Sequence, residues 1–296
     1  MKKILLLEKE PEIKKEYLSN LIDWWFELLN TSHDFDDGEI FGLIVRSGTI
    51  IDKYILEKYK NIKFVFRIWV WLDNIDSNLC KEKWIAVFNS PGANSDSVAD
   101  LAIWGTLSLM RKIKDISSFD QQNRFEYMWN ELWDKNACII WFGHVGKKIY
   151  QRLVWFWVNS FSVVDPFVDR NEIEKYMGCK KHENIDEIWT KIDILYINLP
   201  LNKETDWYVD ESLLGKLNPD VKIVNIARWW LINPDDLCEF LGTNRSAWAY
   251  IDTDVNQQFK KLENLDNCII TPHIGAMTQE ADRRMHRLDI KKILDL

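Results

Sequence analysis

Glycine is the residue that this sequence has too little of. The chain has 296 residues but only 11 Gly, whereas a soluble protein of this length should hold roughly 20 if glycine makes up about 7% of its residues. Tryptophan, which is normally scarce, occurs 16 times. The two residues together reach a number that is ordinary for a globular chain, which suggests that tryptophan stands where glycine belongs.

Long hydrophobic runs and paired cysteines are also missing. No window approaches the roughly 18 uninterrupted apolar residues of a membrane-spanning helix, and residues 1–15 turn acidic too early for a secretory signal. The cysteines are odd in number and form no C-x-x-C pair, which argues against a disulfide framework or a zinc site and predicts a reducing cytoplasm. They are Cys80, Cys138, Cys179, Cys238 and Cys268.

The remaining composition is that of a globular protein with a sizeable core. Apolar residues make up 47% of the chain, which excludes wholesale disorder. The formal net charge of -8 disfavours broad electrostatic attraction to nucleic acid or to an anionic membrane. We therefore expect no nucleic-acid, membrane or metal partner.

Short β-branched runs alternate with amphipathic stretches along the whole chain. Four such runs lie in the first third, at residues 3–8, 40–47, 63–70 and 84–89. Six more follow from residue 137, and helical patterns separate most of them. This alternation predicts parallel sheets covered on both faces and divided between two units. Residues 95–113 read as one long helix that joins the units.

The most informative segment is residues 138–153, CIIWFGHVGKKIYQRL. A hydrophobic strand runs into Gly143-x-x-Gly146 and then into an amphipathic helix, the context in which a dinucleotide pyrophosphate binds at a helix N-terminus. Asp165, at the end of the next strand, would accept hydrogen bonds from the adenosine ribose and so favour NAD over NADP. Trp141 stands where the fingerprint G-x-G-x-x-G begins with glycine. An unrelated α/β crossover with two incidental glycines is the alternative.

Eight blocks occur in a suitable order along nearly the whole chain. They are residues 45–76, residues 88–103, the dinucleotide turn, VVDPF, INLPLNKET, NIARWWLIN, AWAYIDTDV and TPHIGAMT. Together they resemble the NAD-dependent D-2-hydroxyacid dehydrogenases, and most of all the phosphoglycerate dehydrogenase branch. The resemblance implies an α/β fold with two domains. A Rossmann-type doubly wound NAD-binding domain at 95–273 would be inserted in a flavodoxin-like substrate-binding (catalytic) domain made of 1–94 and 274–296.

The same resemblance implies a catalytic set. His273 would be the general acid/base that moves the proton on the substrate oxygen while a hydride moves to or from the nicotinamide. Arg228 would hold the substrate carboxylate with its fork of donors. Gln257 stands at the position of a family Glu that pairs with the histidine, and an amide orients an imidazole without stabilising its charge. Asp254 and Glu263 are alternative partners.

The resemblance also assigns residues that contact the cofactor and the substrate. Asp252 would hold the nicotinamide carboxamide. The full set of NAD contacts is Trp141, Phe142, Gly143, His144, Val145, Gly146, Asp165, Pro166, Asn198, Leu199, Pro200, Thr205, Ile226, Ala227, Asp252, His273 and Gly275. The substrate, a small 2-hydroxy or 2-oxo acid, would be bound by Arg46, Ser47, Val70, Trp71, Asn94 and Arg228.

Against the family pattern the tryptophans become interpretable. Glycine is the family residue at Trp69, Trp71, Trp141, Trp229 and Trp230, and glycine is usual at Trp84, Trp157, Trp207 and Trp248. Our hypothesis is that the organism decodes UGA as glycine and that the gene was translated with a table in which UGA means tryptophan. A homologue that is truly rich in tryptophan is the alternative. At 229 and 230 we expect a turn whose positive φ bulky residues adopt only at a cost.

The expected reaction is hydride transfer between NAD and a D-2-hydroxy or 2-oxo acid, most like that of D-3-phosphoglycerate dehydrogenase in serine biosynthesis. The alternative is a catalytically silent NAD-binding interaction or regulatory module of the same fold, which loss of the family Glu favours. The resemblance also implies a homodimer. Because the chain ends soon after the predicted last helix, we expect it to lack the regulatory domain of some phosphoglycerate dehydrogenases.

Overall fold

The computed structural model describes residues 1–8, 26–46, 48–70, 72–114, 129–253 and 260–287. The chain divides into two compact units. The first consists of the residues up to Asn94 and the segment that begins at Thr278, and the second runs from Ser95 to Met277. Each unit is built on a parallel β-sheet.

The first unit holds a five-stranded sheet with the order β2-β1-β3-β4-β5. Its strands are β1 (Lys2–Leu6), β2 (Phe26–Asn30), β3 (Ile40–Val45), β4 (Phe64–Arg67) and β5 (Ala86–Phe88). This is the strand order of flavodoxin-like sheets, as the resemblance implied. Ile4 and Leu6 pack in one hydrophobic cluster and Leu5 in another, so both faces of β1 are covered.

The second unit holds a seven-stranded sheet with the order β12-β11-β10-β9-β6-β7-β8. Its strands are β6 (Asn136–Ile140), β7 (Ser160–Val164), β8 (Cys179–His182), β9 (Ile194–Ile197), β10 (Lys222–Asn225), β11 (Trp248–Asp252) and β12 (Cys268–Thr271). The order reverses between β6 and β9, which is the switch point where open α/β sheets bind ligands. The expected doubly wound α/β fold is confirmed.

The helices lie between the strands, as the alternation along the sequence predicted. They are α1 (Lys53–Lys58), α2 (Ser77–Glu82), α3 (Ser95–Met110), α4 (His144–Val154), α5 (Arg170–Ile173), α6 (Glu211–Leu214), α7 (Pro234–Thr243), α8 (Lys260–Glu263) and α9 (Gln279–Met285). Short 3₁₀ turns occur at Asp37–Glu39, Ile185–Glu187, Trp189–Lys191 and Trp229–Leu231. Helix α3 is the long helix predicted at 95–113. Within the described ranges no helix is long and apolar enough to cross a bilayer.

Two strands were not predicted, and each has a local reason. Strand β8 reads Cys179-Lys-Lys-His182, so it has no apolar run and is recognised only through its pairing with β7. Strand β2 is five residues long with polar residues at both Glu27 and Asn30. Both lie at sheet edges, where one side of the strand has no partner and the sequence signal is weakest.

Candidate active site

The dinucleotide turn has the geometry that a glycine-rich turn needs. Strand β6 ends at Ile140, and α4 begins at His144 after Gly143, which caps the helix without any side-chain hydrogen bond. A Cβ on Gly146 would lie 2.6 Å from the carbonyl oxygen of Trp141, so that only glycine allows this approach of helix and turn. The first N–H groups of α4 are therefore available to an anion.

Trp141 departs from this pattern in both backbone and side chain. Its φ is 74°, in the left-handed region that suits glycine. Its indole Cδ1 lies 3.3 Å from the position that a Cβ on Gly143 would have, and the ring packs edge to face on Phe167 with centroids 5.2 Å apart. The indole therefore covers the turn on the side of Gly143.

Asp165 follows β7 and is 2% exposed. Its carboxylate accepts from the backbone N–H of Phe142 at 2.8 Å, of Phe167 at 2.9 Å and of Val168 at 3.2 Å. These bonds join the loop after β7 to the dinucleotide turn. The next cation along the chain, Arg170, bonds to two glutamates and to a backbone carbonyl, so its charge is already compensated.

Asn198, which follows β9, supplies a test of whether a dinucleotide fits. Both polar atoms of its side chain are buried without a hydrogen-bond partner, and its Nδ2 lies 3.5 Å from the Cβ position of Gly146. A buried amide without a hydrogen-bond partner lowers the stability of a protein by about 1–3 kcal/mol. A bound ligand that forms hydrogen bonds with Asn198 would remove this cost. The glycine turn, the buried acid and the orphaned amide fit a dinucleotide, whereas the indole of Trp141 does not.

The other predicted cofactor contacts hold the loops in place. Leu199 is 4% exposed and belongs to the core of the second unit. The hydroxyl of Thr205 donates to the carbonyl oxygen of Pro200 at 2.7 Å and accepts from the N–H of Asn202 at 2.8 Å, which closes the loop after β9. Pro166 is exposed at the start of the loop after β7, and Ile226 and Ala227, after β10, are buried.

Arg228 lies in the loop after β10 and is half-buried. The buried Asn225, which the sequence argument missed, fixes this loop, because its amide donates to the carbonyl of Arg228 and accepts from the N–H of Ala227. Trp229 and Trp230 lie in the following 3₁₀ turn, and neither has a positive φ. Our expectation of a positive φ there was wrong, since a 3₁₀ turn keeps the right-handed conformation.

His273 follows β12 and has a φ of 52°. Asp252, at the end of β11, is 1% exposed and holds the turn around it. The Asp252 carboxylate accepts from the N–H of Ile274 at 2.8 Å and of Gly275 at 2.7 Å. A Cβ on Gly275 would come 2.9 Å from this carboxylate, which explains the glycine.

These residues share one edge of the sheet. Trp141, Asp165, Asn198, Arg228, Asp252 and His273 end or follow six neighbouring parallel strands. The carboxyl ends of parallel strands meet at the same edge, which is where α/β sheets bind ligands. This edge therefore combines an anion-binding helix N-terminus, a guanidinium and an imidazole, the groups needed to bind a dinucleotide beside a small carboxylic acid.

Several of the predicted substrate residues belong to the first unit. Arg46 follows β3, its N–H donates to the carboxylate of Glu8, and its guanidinium lies 5.6 Å from the ring centroid of Trp69. The carbonyl of Val70 accepts from Asn89, and Asn94 is half-buried just before α3. Ser47 and Trp71 lie outside the described residues.

Two of the three proposed histidine partners also lie outside the described residues, namely Asp254 and Gln257. Glu263 ends α8 with an exposed side chain, and its backbone carbonyl accepts from the ammonium of Lys114. Thr271, which was not predicted as a site residue, lies two residues before His273, and its hydroxyl donates to Asp252. The signal was present, because Thr271 opens the TPHIG block.

Among the tryptophans within the described ranges, four have backbone conformations that favour glycine. Trp84, Trp141, Trp157 and Trp207 have φ values of 58°, 74°, 57° and 54°. Trp84 follows α2 with its N–H bonded to the carbonyl of Lys81 and that of Ile85 bonded to Cys80. This pattern is the Schellman ending of a helix, whose left-handed residue is usually glycine.

The model of the D-isomer specific 2-hydroxyacid dehydrogenase NAD-binding domain matches residues 103–275. The chain belongs to this family of NAD-dependent oxidoreductases, and its cofactor is NAD. It is 30% identical to the hydroxypyruvate reductase of Thermotoga maritima over 98% of this chain and 92% of that protein. It is 32% identical to the D-3-phosphoglycerate dehydrogenase of Bacillus subtilis over 92% of this chain, but spans only 51% of that protein.

Solved structures share the fold of this chain. The NAD-complexed D-isomer specific 2-hydroxyacid dehydrogenase of Lactobacillus delbrueckii ssp. bulgaricus has the same fold, with a TM-score of 0.84 at 18% identity over 99% of this chain and 96% of that one. The NAD⁺-bound 3-phosphoglycerate dehydrogenase of Entamoeba histolytica gives a TM-score of 0.76 at 25% identity over 99% and 94%.

Proposed function

We propose that this protein transfers a hydride between NAD and D-3-phosphoglycerate or a close analogue such as glycerate, in the pathway that makes serine. The observation that carries the proposal is the alignment of Arg228, Asp252 and His273 at the carboxyl ends of the neighbouring strands β10, β11 and β12. The relatives named as hydroxypyruvate reductase and D-3-phosphoglycerate dehydrogenase support the choice of substrates.

His273 gives or takes the proton on the substrate oxygen, and Arg228 holds the substrate carboxylate. NAD, when bound, supplies the site that accepts or releases the hydride. The chain holds it through the turn at 141–146, Asp165 and Asn198. The carboxylate of Asp252 accepts three hydrogen bonds from the protein. Because a carboxylate can accept about four, one acceptor site remains for the nicotinamide carboxamide.

The first unit supplies the remaining substrate contacts. Arg46, Ser47 and Asn94 bind the polar groups of the substrate, and the backbone at Val70 and Trp71 donates to its carboxylate. A guanidinium binds phosphate and carboxylate by the same paired hydrogen bonds, so Arg46 is suited to either. We propose that residues 95–273 bind NAD and that the flanking segments bind the substrate, although the second compact unit continues to Met277.

Gln257 is our proposed partner of His273. An amide can orient the imidazole but does not stabilise its protonated form as a carboxylate does. For reduction of the 2-oxo acid, in which His273 must donate a proton, Gln257→Glu is therefore expected to move the basic limb of the kcat/KM pH profile to higher pH. An unchanged profile would mean that Asp254 or Glu263 serves instead.

A panel of D-2-hydroxy acids tests the proposed activity. NADH formation is followed by absorbance with D-3-phosphoglycerate, D-glycerate and D-lactate, and the kcat/KM values are compared. We expect turnover that His273→Ala abolishes, with D-3-phosphoglycerate as the best substrate. NADH binding without turnover on any of them would indicate the silent binding module.

We also propose that the native protein has glycine at 69, 71, 84, 141, 157, 207, 229, 230 and 248. The left-handed backbone at four of these positions supports the proposal, because a bulky residue there costs about 1–2 kcal/mol. Four such residues would lower the free energy of unfolding by about 4–8 kcal/mol. This is a large part of the roughly 5–15 kcal/mol that is typical of native proteins. The buried, unpaired indole N–H of Trp248 points the same way.

Mass spectrometry of the protein isolated from its own organism tests the recoding. We expect peptides in which residues 69, 71 and 141 have the mass of glycine, and peptides with intact tryptophan there would refute it. The proposed homodimer rests on family likeness, and the proposed cytoplasmic location rests on the cysteine pattern. Light scattering of the purified protein would test the dimer.

A further inference from the structure

A chain of hydrogen bonds leads from the core of the second unit to the turn that presents His273. The hydroxyl of Tyr250 lies 2.7 Å from Oγ1 of Thr271, which donates to Oδ1 of Asp252 at 2.6 Å. Both Tyr250 and Asp252 are almost completely buried. Because a carboxylate only accepts, the direction is set: Tyr250 donates to Thr271, and Thr271 donates to Asp252.

The far end of this chain is the backbone on either side of the proposed acid/base. Asp252 accepts from the N–H groups of Ile274 and Gly275, which immediately follow His273. The N–H of His273 itself bonds to the carbonyl of Thr271 at 2.9 Å. The φ of 52° at His273 is a sparsely populated conformation that persists only where its surroundings hold it.

The near end is fixed by helix α3. A Cβ on Gly105 would lie only 2.2 Å from the ring of Tyr250, so the ring fits against the helix where there is no side chain. On the same helix, the hydroxyl of Ser97 donates to the carbonyl of Gly275 at 2.6 Å. The turn is thus attached to α3 at Gly275 directly and at Thr271 through Tyr250.

We propose that Tyr250 and Thr271 are positioning residues that, through Asp252, hold the turn carrying His273. The inference rests on the proposed role of His273 as acid/base. With the hydroxyl of Tyr250 in place, Thr271 keeps its proton directed at Oδ1 of Asp252. Without it, the threonine hydroxyl is free to rotate, and the carboxylate loses one of the donors that orient it.

A second tyrosine supplies a matched control. Tyr196 is also fully buried, and its hydroxyl lies 2.7 Å from Oγ1 of Thr106, which donates to the carbonyl of Ala102 at 2.8 Å. This is the same tyrosine-to-threonine arrangement, but it ends on a helix carbonyl instead of Asp252. Tyr196→Phe therefore removes an equivalent buried hydrogen bond without touching the turn.

The experiment compares Tyr250→Phe with Tyr196→Phe in the full chain. At the nine positions proposed to be glycine, both variants carry the residue that mass spectrometry finds in the native protein. We expect Tyr250→Phe to lower kcat about tenfold while the Kd for NADH changes less than about twofold. Tyr196→Phe should leave both unchanged. Thr271→Val should reproduce the loss, and Thr271→Ser should restore most of the activity.

Each other outcome has a distinct meaning. Equal kcat values for the two tyrosine variants would overturn the positioning role, and so would a rise in the Kd for NADH with kcat unaffected, which would place the effect at the nicotinamide. ADP-ribose, which lacks the nicotinamide, reports on the rest of the cofactor site. A parent chain that binds neither NADH nor ADP-ribose would contradict the proposed function itself.

Discussion

The backbone N–H of Trp207 donates to the carbonyl oxygen of Trp230 at 2.7 Å, and their indoles pack edge to face with centroids 5.4 Å apart. The ring centroids of Trp229 and Trp230 lie 3.5 Å apart, with the ring planes tilted by 32°. Three indoles thus gather in the loops next to Arg228, where a substrate carboxylate is proposed to bind. Glycine at these positions would keep the backbone hydrogen bond and remove the rings.

Replacing a left-handed tryptophan by glycine should stabilise the chain. Trp84 is 91% exposed and has a φ of 58°, so its side chain contributes little burial while its backbone is strained. We expect Trp84→Gly to raise the free energy of unfolding by about 1 kcal/mol, the relief of strain less the added entropy of the unfolded glycine. Urea denaturation measures the change.

Trp189 provides the opposite case for the same measurement. It is 5% exposed, its φ is not positive, and its indole N–H donates to the carboxylate of Asp186 at 2.6 Å. Trp189→Gly should cost about 3–5 kcal/mol, as expected for emptying an aromatic site in a core. Similar losses for Trp84→Gly and Trp189→Gly would argue that both are genuine tryptophans.

Trp141→Gly should improve binding of the cofactor. The indole covers the turn that the pyrophosphate must approach, so we expect the Kd for NADH to fall at least about tenfold. Trp157→Gly is the control, because Trp157 also has a positive φ but is 76% exposed in the loop after α4. Isothermal titration should show no gain in affinity for that variant. A gain of equal size would contradict a local role for Trp141.

Asp165→Asn tests the link between the acid and the dinucleotide turn. A carboxamide has one acceptor oxygen in place of two, so at least one of the three backbone N–H groups would lose its partner. We expect a loss of about 1–3 kcal/mol in stability and a smaller preference for NAD over NADP. Asp169→Asn is the control, since that side chain is exposed and makes no capping bond. The prediction fails if the two variants unfold at the same urea concentration.

Lys222 gives the stability a defined pH dependence. Burial lowers the pKa of its ammonium from 10.5 to about 8. Between these values the unfolded chain binds more protons than the folded one, so this group makes stability rise with pH. Relative to Lys222→Met, the free energy of unfolding should rise by about 2 kcal/mol in total between pH 8 and 10. A constant difference between the two proteins would contradict the shift.

The sequence predicted most of this fold because its strands are short apolar runs buried on both faces. The ten predicted runs all form strands. The edge strands β2 and β8 were missed, since half-polar edges have little periodicity. The hydrogen bonds that link Tyr250 to Thr271 and Thr271 to Asp252 could not be foreseen, because they join residues far apart in the sequence that only the folded chain brings together. Those of Asn225 are local and were missed. The positive φ at Trp84, Trp157 and Trp207 agrees with a pattern first recognised through the family's glycines.

The most direct measurement is NADH formation by two versions of the full chain, one with tryptophan and one with glycine at the nine proposed positions. D-3-phosphoglycerate and D-glycerate serve as substrates, and His273→Ala in the glycine version is the blank. We predict turnover by the glycine version and little or none by the tryptophan version. Equal activity of both would contradict the recoding, and an inactive glycine version that binds NADH would contradict the proposed dehydrogenase.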